Sequence, residues 1–579
     1  MNLVESKKYR RDIDGLRAIA VLPVLFFHFG FMNNGYLGVD IFFVISGFLI
    51  TGIIFREIKE QKFSIVNFYL RRTRRIIPLV SFICLICLII GIFVMLPDDL
   101  ENLAQSIIAT NFFGNNILQV LTTKNYWDLA NEYKPLMHTW SLAIEEQYYL
   151  FYPFIFLLLG KHKIKWILPI LIITCLCSLV LYLSPFSDYN KFYLLQFRFF
   201  ELAIGGIAAI FMKERLYTSK FSSIFILALV VLLVFDLTII SDQIKLILSV
   251  VLTLIILIFD QEANPASKFL IQNKMAVFIG KISFSLYMWH QVVLAFGRYF
   301  LFDELDFPKI VLLLVLIFIF SYLTYLFIEQ PFRNKKKIKT KWVLAILISV
   351  IFISSLFSYY IYQRAGVLKD IPELGIQKEN VTPNMHAQFN DRIYVYDKPF
   401  NLEKGIKVLV IGNSFARDWA NVLLASEYAE NLSISYIYNP IKHPELSKRK
   451  DQADIIFISS LDYKTIEELK LKTENSWLIG PKSFGVNNGI FYNHSGEDYC
   501  FQRTLVKEST LETNFRLKEK WSDRYIDLLS YLIDDEHKVP VFTPDCKFMS
   551  QDCRHFTTFG AEHMAGLLDD RLGSIFRIK

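Results

Sequence analysis

Residues 11–28, RDIDGLRAIAVLPVLFFH, decide the architecture. A head carrying Asp12, Asp14 and Arg17 runs into an apolar stretch that ends in His28. Apolar runs of this kind span hydrocarbon as helices, and an ionisable group inside one is costly enough to need a reason. On a helix the interval from Arg17 to His28 is close to three turns, so the two share one face about 16 Å apart along the axis. That interval links an edge of the bilayer to its middle. Asp12 and Asp14 stand close enough in sequence to pair with Arg17, and Asp40 heads the next apolar run. Ion pairs that merely hold helices in register are the plainer account of each residue. His28 has the functional account, because a neutral imidazole takes or gives a proton near pH 7.

Outward from this stretch the apolar character continues. The 579 residues are 53% hydrophobic and 16% aromatic, with a mean hydropathy of +0.36, and the excess lies before about residue 363. Runs near 18–32, 36–55, 76–96, 137–160, 164–184, 197–212, 221–240, 244–259, 276–300, 309–328 and 342–362 predict a multi-span α-helical membrane domain of about eleven helices. With the N-terminus inside, cytoplasmic segments collect Lys7, Lys8, Arg10 and Arg11, then Arg71, Arg72, Arg74 and Arg75, then Lys161, Lys163 and Lys165, then Arg333 to Lys341. The opposite loops hold only a scatter such as Lys124, Lys134, Lys191 and Lys309. This asymmetry predicts a multi-pass protein of a bacterial inner (cytoplasmic) membrane, N-terminus in the cytoplasm and everything past 363 in the periplasm. The net charge of +7 reports that topology and implies no nucleic acid. No cleavable signal peptide is expected, since a charged stretch precedes the first span.

Past a polar linker at 364–400 the pattern changes. Lys407 to Gly412 reads as a buried strand and Ala416 to Glu427 as a helix, which places Ser414 on the turn between them. Strands near 433–438, 454–459, 476–480 and 539–543, with helices near 464–472, 516–535 and 558–569, predict an α/β/α domain around a parallel sheet. Function in such sheets gathers at the carboxyl edge, where Ser414 would also lie beside a helix N-terminus. A serine needs a base, and Asp552-Cys553-Arg554-His555 offers an imidazole with a carboxylate three residues away to orient it.

Two further groups stand in the membrane part. His138-Thr139-Trp140-Ser141-Leu142 precedes Glu145 and Glu146, and the seven-residue interval from His138 to Glu145 predicts one helical face. An interfacial pair with Trp140 as a membrane anchor is the plainer account. Arg71, Arg72, Arg74 and Arg75 are explained by positive-inside anchoring, or by clamping the phosphates of coenzyme A.

These segments resemble the acyltransferase-3 family of membrane acyltransferases. The resemblance is carried by Arg11 to Arg17 with His28, Gly35 to Asp40 with Phe43 and Ser46-Gly47-Phe48, the Arg71 to Arg75 run, His138 to Glu146, Arg198 with Glu201, Ser283 to Tyr287 with Trp289-His290, and Glu329 to Arg333. It implies ten family helices, acetyl-CoA as donor at the cytoplasmic face, an essential arginine and histidine pair, and a carbohydrate acceptor. Residues 1–335 are then the family domain, 336–363 an added helix, 364–400 a periplasmic linker and 401–579 a second domain. That second domain resembles the SGNH hydrolases, in which serine, aspartate and histidine form a triad. Ser414, Asp552 and His555 carry over; Asn413 stands where an aspartate is customary, and Ser483 or Asn487 are offered for the oxyanion donor. The fused arrangement resembles O-antigen acetylases.

The expected catalytic residues are therefore Arg17, His28, Ser414, Asp552 and His555. The expected donor-binding residues are Arg71, Arg72, Arg74 and Arg75, with Asp12, Asp14, Asp40, His138, Glu145, Ser483 and Asn487 as further candidates. The partners are acetyl-CoA, the lipid bilayer and a surface glycan, lipopolysaccharide first, with peptidoglycan or capsule as alternatives; the sequence leaves the oligomeric state open. No metal is expected, because Cys84, Cys87, Cys175 and Cys177 lie in apolar spans, where a cysteine is a small hydrophobe. Among Cys500, Cys546 and Cys553, a Cys546–Cys553 bridge is expected to brace the loop of Asp552 and His555. A transporter fused to a glycan esterase is the reading of another class. A receptor-like scaffold with a degenerate hydrolase fold is a third.

Overall fold

The computed structural model describes residues 9–122, 129–159, 164–211, 222–259, 261, 264–301, 305–382, 385–401, 405–485, 487–494, 496–550 and 552–577. Lys7, Lys8, Lys124, Lys161 and Lys163, which enter the charge pattern above, lie outside them. The chain forms two compact units, one of Met1–Phe93 with Asn102–Tyr359, the other of Val94–Glu101 with Tyr360–Lys579.

The first unit is helical. Helices occupy each apolar run: Arg11–His28, Gly38–Lys59, Ile65–Val94, Thr139–Leu159, Ile167–Leu183, Leu195–Phe211, Ser222–Val234, Asp242–Ile258, Lys274–Phe300, Phe307–Thr324 and Thr340–Gln363. Among the described residues, six helical segments are long and apolar enough to cross a membrane: Gly35–Lys59, Ile65–Val94, Thr139–Leu159, Lys274–Phe300, Phe307–Arg333 and Thr340–Gln363. Ile167–Leu183 and Ser222–Val234 are apolar and shorter.

The first helix begins at Arg11, ahead of its apolar run, because its acidic residues have partners. Arg10 Nη2 donates to Asp12 at 2.6 Å and Arg17 Nη1 to Asp14 at 3.0 Å. Gly280 makes this arrangement possible, since a Cβ there would stand 1.8 Å from the carbonyl oxygen of Asp14. The backbone of helix Lys274–Phe300 thus touches that of the first helix beside the partner of Arg17. Deeper in the unit, Arg198 Nη1 donates to Asp40 and to Glu201, each at 2.8 Å, and all three side chains are almost wholly buried. One guanidinium faces two carboxylates here, so removing Arg198 would leave both without their cation.

The second unit is built on a parallel sheet in the order β2-β1-β3-β4-β6, with β1 Ile406–Gly412, β2 Leu432–Ile437, β3 Ile455–Ser459, β4 Ser476–Ile479 and β6 Tyr525–Ile526. β1 alternates its apolar side chains between two cores, as a strand covered on both faces must. Val408 and Val410 pack with Trp419 and Phe457 on one face, and Leu409 and Ile411 with Ile437, Ile456 and Ile458 on the other. A smaller apolar cluster joins Leu96, Val367, Ile371, Phe491, Val541 and Phe548, so the stretch expected as a polar linker has its apolar side chains folded into this unit.

Three expectations are corrected. The run 516–535 is not one helix: Glu508–Trp521 is helical, Ser522 turns the chain at φ +47, and Tyr525–Ile526 becomes the fifth strand of the sheet, parallel to β4. The strand near 539–543 is β7, Lys538–Pro540, which pairs antiparallel with β5, Arg503–Leu505, in a separate sheet. The disulfide joins Cys500 to Cys546 rather than Cys546 to Cys553, with Cα atoms 5.0 Å apart. Cys553 stays reduced and buried, its Sγ donating to Asn488 Oδ1 at 3.4 Å.

Candidate active site

Each unit carries a cluster of chemically capable side chains. In the helical unit, three cavities share walls in series. The first, about 100 Å³, is lined by Arg17, Arg72, Arg75, Glu145, Tyr149 and Ser283 among others. The second, about 10 Å³, is lined by His28, Tyr36, His138, Trp140 and Arg198, and has Val39 and Tyr287 in common with the first. The third, about 320 Å³, is lined by Asn131, Glu132, Gln291 and Arg298, and has His28 and His138 in common with the second. Arg17 and His28, on one helix, thus face successive cavities.

The histidines have defined geometry. His28 Nδ1–H donates to the Val24 carbonyl at 2.8 Å, and His290 Nδ1–H donates to the Tyr287 carbonyl at 2.5 Å. A ring whose Nδ1 carries the proton presents Nε2 as a lone pair, the form that accepts a proton. His290 lies between the other two, its ring centroid 4.9 Å from that of His28 and 5.1 Å from that of His138. Among the described residues, neither nitrogen of His138 nor Nε2 of His290 makes a well-aligned hydrogen bond, although both residues are buried. Buried polar atoms left open in this way call for an occupant such as a water or a ligand. Tyr287 closes the gap between the first two cavities, its hydroxyl donating to the His138 carbonyl at 2.9 Å and lying 2.6 Å from Ser141 Oγ.

The arginine run divides. Arg72 and Arg75 line the first cavity, whereas Arg71 pairs with Glu57 at 2.9 Å and Arg74 donates to the Ile338 carbonyl at 2.7 Å. His138 and Glu145 divide as well: His138 precedes the helix Thr139–Leu159, so the seven-residue interval does not place them on one face. Glu145 accepts from Ser46 Oγ at 2.6 Å and belongs to the arginine cavity. Asp12, Asp14 and Asp40 are ion-pair partners of arginines. His290 and Tyr287 lie outside the expected site set, although both stand in the segment Ser283 to His290 and their i, i+3 spacing puts them on one helical face.

In the α/β unit, Ser414, His555 and Asp552 come together. Gly412 ends β1 at φ +141 with the Ser459 carbonyl where a Cβ would be, 2.0 Å away. Only glycine fits there. The chain then turns, Asn413 caps the helix Ser414–Ala425 by accepting from the Phe415 N–H at 3.0 Å, and Ser414 becomes its first residue. Ser414 Oγ donates to His555 Nε2 at 2.8 Å, and His555 Nδ1–H donates to Asp552 Oδ2 at 2.7 Å. The other oxygen of Asp552 accepts the backbone N–H groups of His555 and Arg554 at 2.7 and 3.0 Å. Desolvation pushes this carboxyl up, but the His555 hydrogen bond and charge and these N–H groups outweigh it and hold it at about 2. The carboxylate therefore stays ionised and fixes the tautomer that leaves Nε2 ready to take the serine proton.

Of the two residues expected to stabilise an oxyanion, Asn487 is otherwise engaged. It caps Asn488–Asn493 by accepting from the Gly489 N–H at 2.7 Å, and its Nδ2 donates to Asp99 at 2.8 Å. Ser483 is buried on the loop after β4. Among the described residues no group of three or more His, Cys, Asp and Glu side chains has the arrangement to hold a metal ion.

Comparison with known proteins agrees with the helical unit. The family described as Acyltransferase domain matches residues 10–326. A protein of Staphylococcus aureus (strain MSSA476) named "Putative O-acetyltransferase" is 31% identical over 357 residues, 57% of this chain and 58% of that protein. O-acetyltransferase OatA of Staphylococcus aureus (strain NCTC 8325 / PS 47) is 30% identical over 356 residues, with the same shares. The chain thus spans a little over half the length of these curated relatives. No solved structure matches.

Proposed function

The chain belongs to the acyltransferase-3 family, and from that membership we propose that it is a membrane O-acetyltransferase that moves an acetyl group from acetyl-CoA to a hydroxyl of a cell-envelope glycan. On this reading the eleven helices all span a bacterial cytoplasmic membrane, ten of them the family set, with the N-terminus inside and the α/β unit, an SGNH-like domain, outside. Arg72 and Arg75 hold the donor phosphates in the first cavity, where two fixed guanidinium groups suit a polyanion. The thioester reaches past Val39 and Tyr287 toward His28, whose Nε2 lone pair accepts the proton of an attacking carrier hydroxyl; the C–S bond breaks, CoA leaves as the thiol with that proton, and the acetyl group stays as the carrier's ester.

Ser414 carries the acetyl group in the exported unit. Its Oγ attacks the carbonyl of the carrier ester formed at His28 while His555 Nε2 takes the proton; the bond from that carbonyl to the carrier oxygen breaks, and the carrier departs as its alcohol with the proton from His555, leaving an acyl-serine. A sugar hydroxyl then attacks that ester, surrenders its proton to His555, and leaves as the acetyl ester while Ser414 Oγ regains a proton. The observation that carries this reading is the hydrogen-bonded line Ser414–His555–Asp552 in a chain whose helical half matches an acyltransferase family. Peptidoglycan stands at least level with the lipopolysaccharide O-antigen sugar as acceptor, because the names of the relatives give O-acetyl transfer and none of them points to lipopolysaccharide.

Mass spectrometry of envelope glycans from cells carrying the intact chain, His28→Ala or Ser414→Ala tests the proposal. Acetyl esters only with the intact chain support the relay, and their position identifies the acceptor. Acetylation that survives Ser414→Ala but not His28→Ala would mean that transfer is completed in the helical unit. Equal acetylation in all three, or none in any, would sink the proposal.

A further inference from the structure

The α/β unit holds a buried ion pair beside the triad that the mechanism above does not use. Lys482 Nζ lies 2.7 Å from Asp418 Oδ2, and both side chains are almost wholly buried, at 2% and 1% exposure. Asp418 is on the serine helix, one turn beyond Ser414. Lys482 is on the loop after β4. The same Asp418 oxygen accepts the backbone N–H of Phe556, the residue after His555, at 3.4 Å, and its other oxygen accepts from Asn390 Nδ2 at 2.5 Å. Lys482 sits over the ring of Phe415 at 4.1 Å and that of Phe556 at 5.1 Å. Phe415 in turn lies against the His555 ring, with centroids 5.4 Å apart.

Every segment that supplies the serine or the histidine therefore meets at this pair. A buried ion pair of this kind is a poor source of stability, since desolving two charges cancels most of their attraction, and apolar residues of similar volume would serve the core as well. Burial indeed presses both groups toward neutrality, Asp418 upward and Lys482 downward, against their mutual attraction. A directional contact retained at that cost suits a part whose position matters. Between the residues next to Ser414 and His555, it fixes an approach that misplacement by 1 Å would spoil.

We infer that Asp418 and Lys482 are positioning residues for the Ser414–His555 pair, a charged staple joining the serine helix, the loop after β4 and the histidine loop. The inference rests on the reading of Ser414 as an activated nucleophile. The test uses the full-length protein in detergent and the rate at which a fluorophosphonate probe labels Ser414, with Ser414→Ala as the blank. The double variant Asp418→Leu/Lys482→Met exchanges the pair for apolar side chains of similar bulk and is expected to keep the wild-type Tm. Its labelling is expected to fall on the order of tenfold. A core-filling role alone would leave both Tm and labelling unchanged, and that result overturns the inference. Asp418→Asn, which keeps shape and hydrogen-bonding acceptor but drops the charge, provides a second reading should the double variant misfold. It is expected to label on the order of tenfold more slowly as well, and labelling at the wild-type rate would refute the staple. No labelling of the wild-type protein would instead remove the premise that Ser414 is activated.

Discussion

Ser414 Oγ lies 2.8 Å from His555 Nε2, although the two residues are 141 positions apart in the chain. Two local features make that distance. Gly412 lets β1 end against β3 where no side chain would fit, and the Asn413 cap starts the helix at once, so Ser414 is presented on its first turn. On the other side, the Asp552 carboxylate gathers the backbone of its own loop and the His555 ring together. Serine and imidazole are each held by short-range contacts, so the long-range contact between them needs no induced movement to form.

Replacing Asp552 by Asn should leave this geometry intact and reverse the imidazole tautomer. With Nε2 carrying the proton, His555 no longer accepts from Ser414. The fluorophosphonate labelling rate of Ser414 is expected to fall by about 10⁴. A loss under tenfold would mean that Asp552 does not set the tautomer.

Asp552 also makes a pH prediction. Its carboxyl is held at about 2, below its ordinary 3.8, so the folded state binds fewer protons than the unfolded one between these values. The stability from this group is complete above about 4 and is lost as pH falls through about 2. The Tm difference between wild type and Asp552→Asn should therefore shrink as pH falls from about 4 toward 2. A difference that stays level or grows across that interval would contradict the assignment.

The approach of Ser414, His555 and Asp552 was legible because each half of it is written in a short stretch: a strand and a helix with Ser414 on the turn, and a carboxylate three residues from an imidazole. Other parts follow from contacts that no window of sequence contains. The fifth strand of the sheet is only Tyr525–Ile526, and its identity comes from lying beside β4, which overrides the helical pattern around it. The partner of Cys546 is Cys500, brought there by the β5–β7 pairing rather than by proximity in sequence. The division of the arginine run also comes from partners: within the helix Ile65–Val94 the i, i+4 interval makes Arg71 as much a neighbour of Arg75 as Arg72 is, and it is Glu57 and the Ile338 carbonyl that draw Arg71 and Arg74 away.

That division separates their roles. Arg72→Ala and Arg75→Ala should each raise the KM for acetyl-CoA by about tenfold, the worth of one charge-assisted contact, in an assay of CoA release by the protein in liposomes. Arg71→Ala should leave this KM unchanged, because its guanidinium is engaged with Glu57. An equal increase for all three would restore the single clamp.

His290 stands between His28 and His138 with an open Nε2. Substitution by Phe keeps a ring in that place and removes the nitrogen. If the cluster passes protons, kcat for CoA release should fall on the order of a hundredfold with KM for acetyl-CoA little changed. An unaltered kcat would assign His290 to packing.

Arg198 tests whether the buried charges of the helical unit are structural. It pairs with both Asp40 and Glu201, so Arg198→Leu strands two carboxylates in an apolar interior. Removing one member of such a cluster costs about 3–5 kcal/mol, and the Tm of the detergent-solubilised protein should drop accordingly. The triple variant Arg198→Leu/Asp40→Asn/Glu201→Gln removes the uncompensated charge and should recover most of that Tm. Recovery of Tm together with CoA release would make the cluster a packing element. Recovery of Tm without CoA release would give Arg198, which lines the second cavity with His28, a part in the chemistry as well.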